Sequence, residues 1–503
     1  MKLRQMFALT ICLLFPALAF PQAQPNLTLV RVQYMTRKNT VNPQGELKAK
    51  IQELDAHIAE AARYGRSGEL RRLFAKGTVL LTGKEWTPEL DYANSLALRT
   101  GNVVSDSIPP YPLRIEQIYL PAINLERPLT ALVTLRKRSM AQQGEIVKDF
   151  GSFEGVGRDL RESPYQLSLD MSGVADGPYQ LNLEVSNGTA KLGTSVLNIV
   201  LRKGLNDLVA RLESEAKAAP ENLRAEILFP IDRMRSVNRG TLELRTFDPD
   251  KDFQAAESVA AAVKAHQDPY AKRTGDFKRH YLLAPVGEVM PYELHVPAAY
   301  DGARAFPLIV ALHGLGGTED AFFQSYEKKL PVLAEQHGYI IAAPLGYRVD
   351  GSYGWGLAEP PADSIVRRTQ ELSEKDVMEV MQQVQSNYKI DKNRVYLMGH
   401  SMGGIGTWKL AAKYPDLWAA IAPIAGMGQP STIEKFRTIP EIVVHGDNDK
   451  TVPVAGSRLM VAKMKELGVE VKYIEVPGGS HGDVVAPNFA AILDFFDAHK
   501  KLQ

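Results

Sequence analysis

Residues 397–404 read Leu-Met-Gly-His-Ser-Met-Gly-Gly, and no other stretch of the chain restricts the fold as tightly. An apolar run, Val395 to Met398, leads into it, and a helical pattern, Ile405 to Ala412, leads out. A strand must therefore turn sharply into a helix, with Ser401 at the bend between Gly399 and Gly403. A serine hydroxyl is a weak nucleophile until a base takes its proton, and such a turn lifts its oxygen clear of the backbone. Glycines two before and two after remove side chains that would collide in so tight a bend. The bland alternative is a glycine-rich strand–helix turn without chemistry, and the residues downstream argue against it.

Beyond the helix, the apolar strand Ile442-Val443-Val444 runs into His445-Gly446-Asp447-Asn448-Asp449-Lys450-Thr451-Val452-Pro453, a polar loop with two aspartates. Further on, Val476-Pro477-Gly478-Gly479-Ser480-His481-Gly482 carries one histidine. Serine, then acid, then histidine is one of the chain orders in which a catalytic triad recurs. Ser401 would attack a carbonyl carbon, His481 would act as general base and then general acid, and an aspartate would orient the imidazole. His445 ends a strand and reads as structural. Upstream, the strand Pro307 to Leu312 precedes His313-Gly314-Leu315-Gly316-Gly317. A phosphate-binding reading of that glycine-rich loop fails, because no Gly-Lys-Ser/Thr comes after it.

These pieces, with Tyr292-Glu293-Leu294-His295-Val296-Pro297 and Asp391-Lys392-Asn393-Arg394-Val395-Tyr396, carry a resemblance. Roughly residues 275–500 resemble α/β-hydrolase serine esterases of the polyhydroxybutyrate-depolymerase and feruloyl-esterase type, carbohydrate esterase family 1. The whole layout also resembles secreted esterases with an immunoglobulin-like domain ahead of the hydrolase. The resemblance implies a mostly parallel sheet with helices on both faces, preceded by a β-sandwich domain and helical segments. It implies Asp449 as the triad acid, with Asp447 a turn former, and the backbone N–H groups of Met402 and Leu315 as the oxyanion hole. It implies a carboxylic ester substrate, small or polymer-linked, and no cofactor.

The chain has 503 residues and a net charge of +1, which suits two or three domains and gives no nucleic-acid surface. Residues 1–19 read as a signal peptide: Lys2 and Arg4, an apolar stretch from Phe7 to Phe15, then Ala17-Leu18-Ala19. The apolar stretch is too short for a membrane span. The single cysteine, Cys12, lies inside this segment, so the mature chain is expected to have no disulfide and to work outside the cytoplasm. No metal-ligand spacing is present, and nothing in the sequence marks an oligomeric state.

Residues 26–110 read as a partly helical region, with Leu47, Ile51, Leu54 and Ile58 at helical spacing. Pro109-Pro110-Tyr111-Pro112 reads as a linker. Short alternating segments between 111 and 202, with a hairpin signal at Asn187-Gly188, predict an immunoglobulin-like β-sandwich. Residues 203–270 read as a helical connector whose charges form a solvated face. All of the proposed chemistry lies after residue 307, so 26–202 is expected to be separable from catalysis. Tyr347, Tyr353 and Trp355, in a loop after the strand Tyr339–Ala343, are candidates for the walls of a substrate pocket, with loop packing as the alternative. No long apolar lid stands between 347 and 376, which favours small or aromatic acyl groups over long chains. Two other readings fit less well: a serine peptidase of the same fold, and a non-catalytic binding protein using the β-sandwich.

Overall fold

The computed structural model describes residues 27–501, apart from 107–109, 124–128, 140–143, 158 and 355–359. The expected signal segment and Trp355 lie outside the described residues. Contacts divide the chain into two compact units, one holding residues 87–205 and 235–244, the other 25–86, 206–234 and 245–503.

The larger unit is built on a sheet that has eight strands among the described residues. In chain order they are β1 (Gly275–Leu283), β2 (Glu288–Val296), β3 (Phe306–Leu312), β4 (Ile340–Pro344), β5 (Ile390–His400), β6 (Ala420–Ile424), β7 (Glu441–Gly446) and β8 (Val471–Val476). Their order across the sheet is β8-β7-β6-β5-β3-β4-β2-β1. β1 and β2 form an antiparallel hairpin, β2 pairs antiparallel with β4, and the remaining neighbours are parallel.

Parallel strands covered on both faces need continuous apolar sequence, and β3 is buried along its whole length. Its alternate residues feed two cores: Leu308, Val310 and Leu312 on one face, Ile309 and Ala311 on the other. The first face is covered by the helix Ile365–Asn387 through Val377, Val380 and Val384. The second is covered by Lys329–His337 and Phe489–Ala498, through residues such as Leu330, Phe489 and Ile492. This arrangement gathers the C-terminal ends of β3, β5, β7 and β8 at one edge, where open α/β sheets bind ligands.

The same unit includes the helices α1 (Leu27–Val41), α2 (Gly45–Arg63) and α3 (Ser67–Leu80), far upstream of the sheet. They share a core around Tyr34, Ile51, Leu54, Leu73 and Phe74. The expected segment 26–110 is therefore not one region: its first part belongs with the catalytic sheet, and its last part belongs with the smaller unit. Of the segment 26–202 expected to be separable from catalysis, α1–α3 belong to the same compact unit as the catalytic sheet.

The segment 203–270 is more than a connector. It forms the helices Leu205–Ala218, Glu221–Asn238 and Pro249–Lys264. Glu226 on the second of these is buried, and it accepts from Arg279 Nε at 2.6 Å and contacts His280 Nδ1 at 2.6 Å. Burial pushes its carboxyl up, but His280 and Arg279 outweigh that and hold it below the usual range. The reading of the helix charges as a solvated face is wrong at Glu226 and at the equally buried Arg233, because both face inward.

Among the described residues the smaller unit has two sheets whose buried faces share one core, including Leu98, Leu113 and Ile115 from one sheet and Val133, Leu183 and Ile199 from the other. One sheet joins strands 96–100, 111–117 and 165–169; the other joins 104–105, 190–201, 177–187, 129–137 and 146–156. The strands 177–187 and 190–201 form the expected hairpin, with Asn187 paired to Ala190 and Gly188 at φ 61° in the turn. Of the Pro-rich stretch, Pro109 lies outside the described residues, and Tyr111 and Pro112 do not form a linker. Tyr111 and Pro112 begin the central strand of the smaller sheet, where Pro112 pairs with Ser168.

Candidate active site

β5 delivers Ser401 to the sheet edge, and the helix Met402–Lys413 starts at the next residue. Ser401 sits at φ 58°, ψ −114°, a strained conformation for a residue with a Cβ, of the kind that costs about 1–3 kcal/mol and clusters at functional sites. Its N–H donates to Ile424 O at 2.9 Å, which fixes the bend against β6. The flanking glycines are required by contact. A Cβ on Gly403 would lie 1.9 Å from Leu312 O, and one on Gly399 would lie 2.3 Å from Gly403 O. The helix thus starts directly against the end of β3.

Three of the expected residues meet here. Ser401 Oγ lies 2.8 Å from His481 Nε2, and His481 Nδ1 lies 2.6 Å from Asp449 Oδ2. The carboxylate accepts the Nδ1 proton, which leaves Nε2 free to accept from the serine hydroxyl. Asp449 Oδ1 accepts from the N–H groups of Thr451 at 2.8 Å and Val452 at 2.9 Å. Burial pushes the Asp449 carboxyl up, but hydrogen bonds from His445 and His481, the charge of His481 and the Val452 amide outweigh it. Asp449 is therefore held below the usual carboxylate range and stays ionised. Asp447 does not touch His481. It accepts from Gly478 N at 2.7 Å and ties the aspartate loop to the histidine loop. His445 is fully buried, with Nδ1 2.7 Å from Ser457 Oγ and Nε2 3.0 Å from Val452 O.

The glycine-rich loop after β3 abuts the nucleophile: a Cβ on Gly314 would lie 3.4 Å from Ser401 Cβ. Gly316 N donates to Val349 O at 2.8 Å and Gly317 N to Gly314 O at 3.0 Å, so the turn around Leu315 is pinned. Met402 is the first residue of its helix, and its N–H is one of those that a helix leaves without an internal acceptor. The helix dipole adds partial positive charge at the same point.

Two supporting residues escape the sequence reading. His400 Nε2 lies 2.9 Å from His481 O, and its Nδ1 lies 2.8 Å from Tyr326 Oη. A carbonyl only accepts, so Nε2 carries the proton and Nδ1 accepts from the tyrosine. Burial first, then the neighbouring His481, pushes His400 down to about 4, which keeps it neutral. The ring clamps the histidine loop from behind. The only sequence signal was its place in the Gly-x-Ser-x-Gly frame, and Tyr326 carried none.

The aromatic loop needs a correction at Tyr347. Tyr353 is fully buried, its N–H bonded to Ser373 Oγ at 3.0 Å and its hydroxyl to His313 O at 3.3 Å. Tyr347 is also buried, with the Arg348 guanidinium 3.8 Å above its ring and Glu288 at its hydroxyl. Tyr347 packs under the loops as core, whereas Tyr353, though buried, also lines a cavity beside the helix that follows Ser401. A cavity of about 250 Å³ lies along the helix after Ser401, lined by Ile405, Trp408, Lys409, Met427 and Thr432 among others. None of the three residues that meet at Ser401 lines it.

The strand order, the bend at Ser401 and the loops after β3, β7 and β8 are those of an α/β-hydrolase. Residues 284–477 match the model of the esterase family described as "Putative esterase". A bifunctional acetylxylan esterase/xylanase of Neocallimastix patriciarum is 30% identical over 31% of this chain and 21% of its own length. Feruloyl esterase B of Neurospora crassa is 32% identical over 24% of this chain and 39% of its own. Poly(3-hydroxyalkanoate) depolymerase C of Paucimonas lemoignei is 35% identical over 26% of this chain and 30% of its own. The chain spans well under half the length of these three relatives, so the likeness concerns the catalytic segment, and it places that segment among carboxylic ester hydrolases. Among the described residues no helix is long and apolar enough to cross a membrane.

Proposed function

We propose that this protein is a secreted serine esterase acting on small or polymer-linked carboxylic esters with small or aromatic acyl groups. The reading rests on one observation above all: the unbroken chain Ser401 Oγ–His481–Asp449, with spacings of 2.8 and 2.6 Å, on a strained turn. His481 takes the serine proton as Oγ attacks the ester carbonyl. The Met402 and Leu315 amides receive the developing oxyanion, each donor supplying about 3 kcal/mol of transition-state stabilisation. His481⁺, stabilised by Asp449, then protonates the leaving alcohol. Water deprotonated by His481 attacks the acyl-enzyme and releases the acid. The chemistry needs no cofactor. The β-rich unit at 87–205 fits an immunoglobulin-sized sandwich, and the leader at 1–19 fits export.

The test is a panel of nitrophenyl esters of rising acyl length, beside feruloyl esters and peptide anilides. kcat/KM is expected to be greatest for short or aromatic acyl groups and negligible for anilides. A steady gain of about 0.8 kcal/mol per added methylene through long chains would instead mark a deep apolar acyl channel and defeat the substrate assignment.

A further inference from the structure

Helix α1 has two worked faces. Residues 27, 30, 34 and 38 lie on one side at helical spacing. There Tyr34 is buried against Phe74, with ring centroids 5.6 Å apart, and donates to Asp55 at 2.8 Å, while Lys38 Nζ reaches Asp55 at 2.6 Å. Gly77 lets α3 come close, because a Cβ there would lie 2.4 Å from the Tyr34 ring. This side is anchored to α2 and α3.

Residues 29, 32, 36 and 39 form a second stripe on the opposite side, and it meets the catalytic loops at both ends. Leu29 reaches the oxyanion loop: a Cβ on Gly316 would lie 2.8 Å from Leu29 Cδ2. Thr36 Oγ1 lies 3.4 Å from Thr451 Oγ1, and Asn39 Nδ2 donates to Lys450 O at 2.8 Å. Gly316 follows Leu315, and Lys450 follows Asp449. One end of the stripe therefore touches the loop of the oxyanion donor, and the other touches the loop of the acid. Ten residues of helix span about 15 Å, enough to bridge the strand ends that carry these loops. Val32, partly buried, occupies the middle of the bridge.

We propose that the Leu29–Val32–Thr36 stripe of α1 is a wall of the substrate cleft and selects esters by the size of the group that packs against it. The proposal rests on the esterase reading. The stripe carries two aliphatic side chains and a hydroxyl and no charge, which suits an apolar acyl or alcohol group. Because α2 and α3 back the helix, the wall holds a fixed distance from Ser401. Residues more than 350 positions upstream of the nucleophile thereby set its specificity.

Val32→Trp narrows the cleft at its middle, and Leu29→Ala widens it at the oxyanion end. The readout is the ratio of kcat/KM for a bulky ester (nitrophenyl benzoate or decanoate) to that for nitrophenyl acetate. Thermal melts check folding, and Val32→Ala serves if the tryptophan variant does not fold. Val32→Trp is expected to lower the ratio at least tenfold, and Leu29→Ala or Val32→Ala to raise it severalfold. Arg31→Ala, on the exposed flank of the same helix, is expected to leave it unchanged. Folded variants that scale both substrates equally, or scale neither, would overturn the wall while wild-type phosphonate labelling of Ser401 keeps the esterase reading intact. Wild type that takes no label and turns over no ester would overturn both.

Discussion

Replacing Asp449 by asparagine removes a charge but almost no volume, so its effect isolates the role of that carboxylate. Oδ2 lies 2.6 Å from His481 Nδ1, and Oδ1 holds the amides of Thr451 and Val452 at 2.8 and 2.9 Å. An asparagine that keeps its oxygen on the two amides must turn its NH2 toward His481. Nδ1 then accepts, the proton moves to Nε2, and the imidazole donates to Ser401 when it needs to accept. A wrong tautomer in a triad costs about 10⁴ in kcat, or roughly 5.5 kcal/mol of transition-state stabilisation. Loss of charge-assisted bonds to His481 and His445 costs folding stability as well, on the order of 1.5–3 kcal/mol. Asp447→Asn keeps an oxygen for Gly478 N and is expected to change kcat less than threefold. The assay is steady-state hydrolysis of nitrophenyl acetate, with intact folding checked by thermal melting. A greater loss of kcat in Asp447→Asn than in Asp449→Asn would refute the reasoning.

Other perturbations probe neighbouring contacts. Unfolded histidine titrates near 6.5 and His400 is pushed down to about 4, so the unfolded state binds the extra proton between those values and stability falls as pH drops through that window. His400→Phe is expected to flatten the slope there, by up to about 1.4 kcal/mol per pH unit, in urea titrations from pH 7 to 4. Asp449 acts below that window: its depressed carboxyl stabilises the fold above about pH 4 and the contribution is lost as pH falls further. Gly403→Ala sets a Cβ 1.9 Å from Leu312 O and is expected to abolish soluble expression or lower the melting temperature by more than 10 °C, about 3 kcal/mol or more for a unit of this size. A chain beginning at residue 270 loses Glu226 and with it the buried ion pair to Arg279. It is expected to be unfolded by circular dichroism, and a folded, active product would contradict the placement of the upstream helices.

The candidate site was largely legible because its chemistry is local in sequence. A strand–Gly-x-Ser-x-Gly–helix turn, a histidine loop and an aspartate loop each keep their residues within a few positions. What supports the site was not legible. His400 and Tyr326 meet across 74 positions, and no periodicity encodes that. The aromatic loop misled at Tyr347 for a related reason: a tyrosine in a glycine-rich loop looks exposed, whereas Tyr347 is buried with the Arg348 guanidinium over its ring. In the smaller unit, the strand Ile146–Val156 went unread because most of its residues are exposed or half-buried, and Gly151 and Gly155 take positive φ. Such a strand carries no alternation. Helix α1 was missed because apolar residues on two opposing faces blur the one-sided pattern by which a surface helix is recognised. That two-sidedness is also what ties it both to α2 and α3 and to the catalytic loops.

The central claim is that Ser401 is the nucleophile, activated by His481. Its most direct test is to treat the folded full-length protein with a fluorophosphonate and locate the adduct by peptide mass spectrometry. One adduct per chain is expected on Ser401, lost in Ser401→Ala, which should retain the wild-type melting temperature and lose 10⁴-fold or more in kcat. An adduct on another serine with Ser401 free, or undiminished ester hydrolysis by the folded Ser401→Ala variant, would contradict the claim.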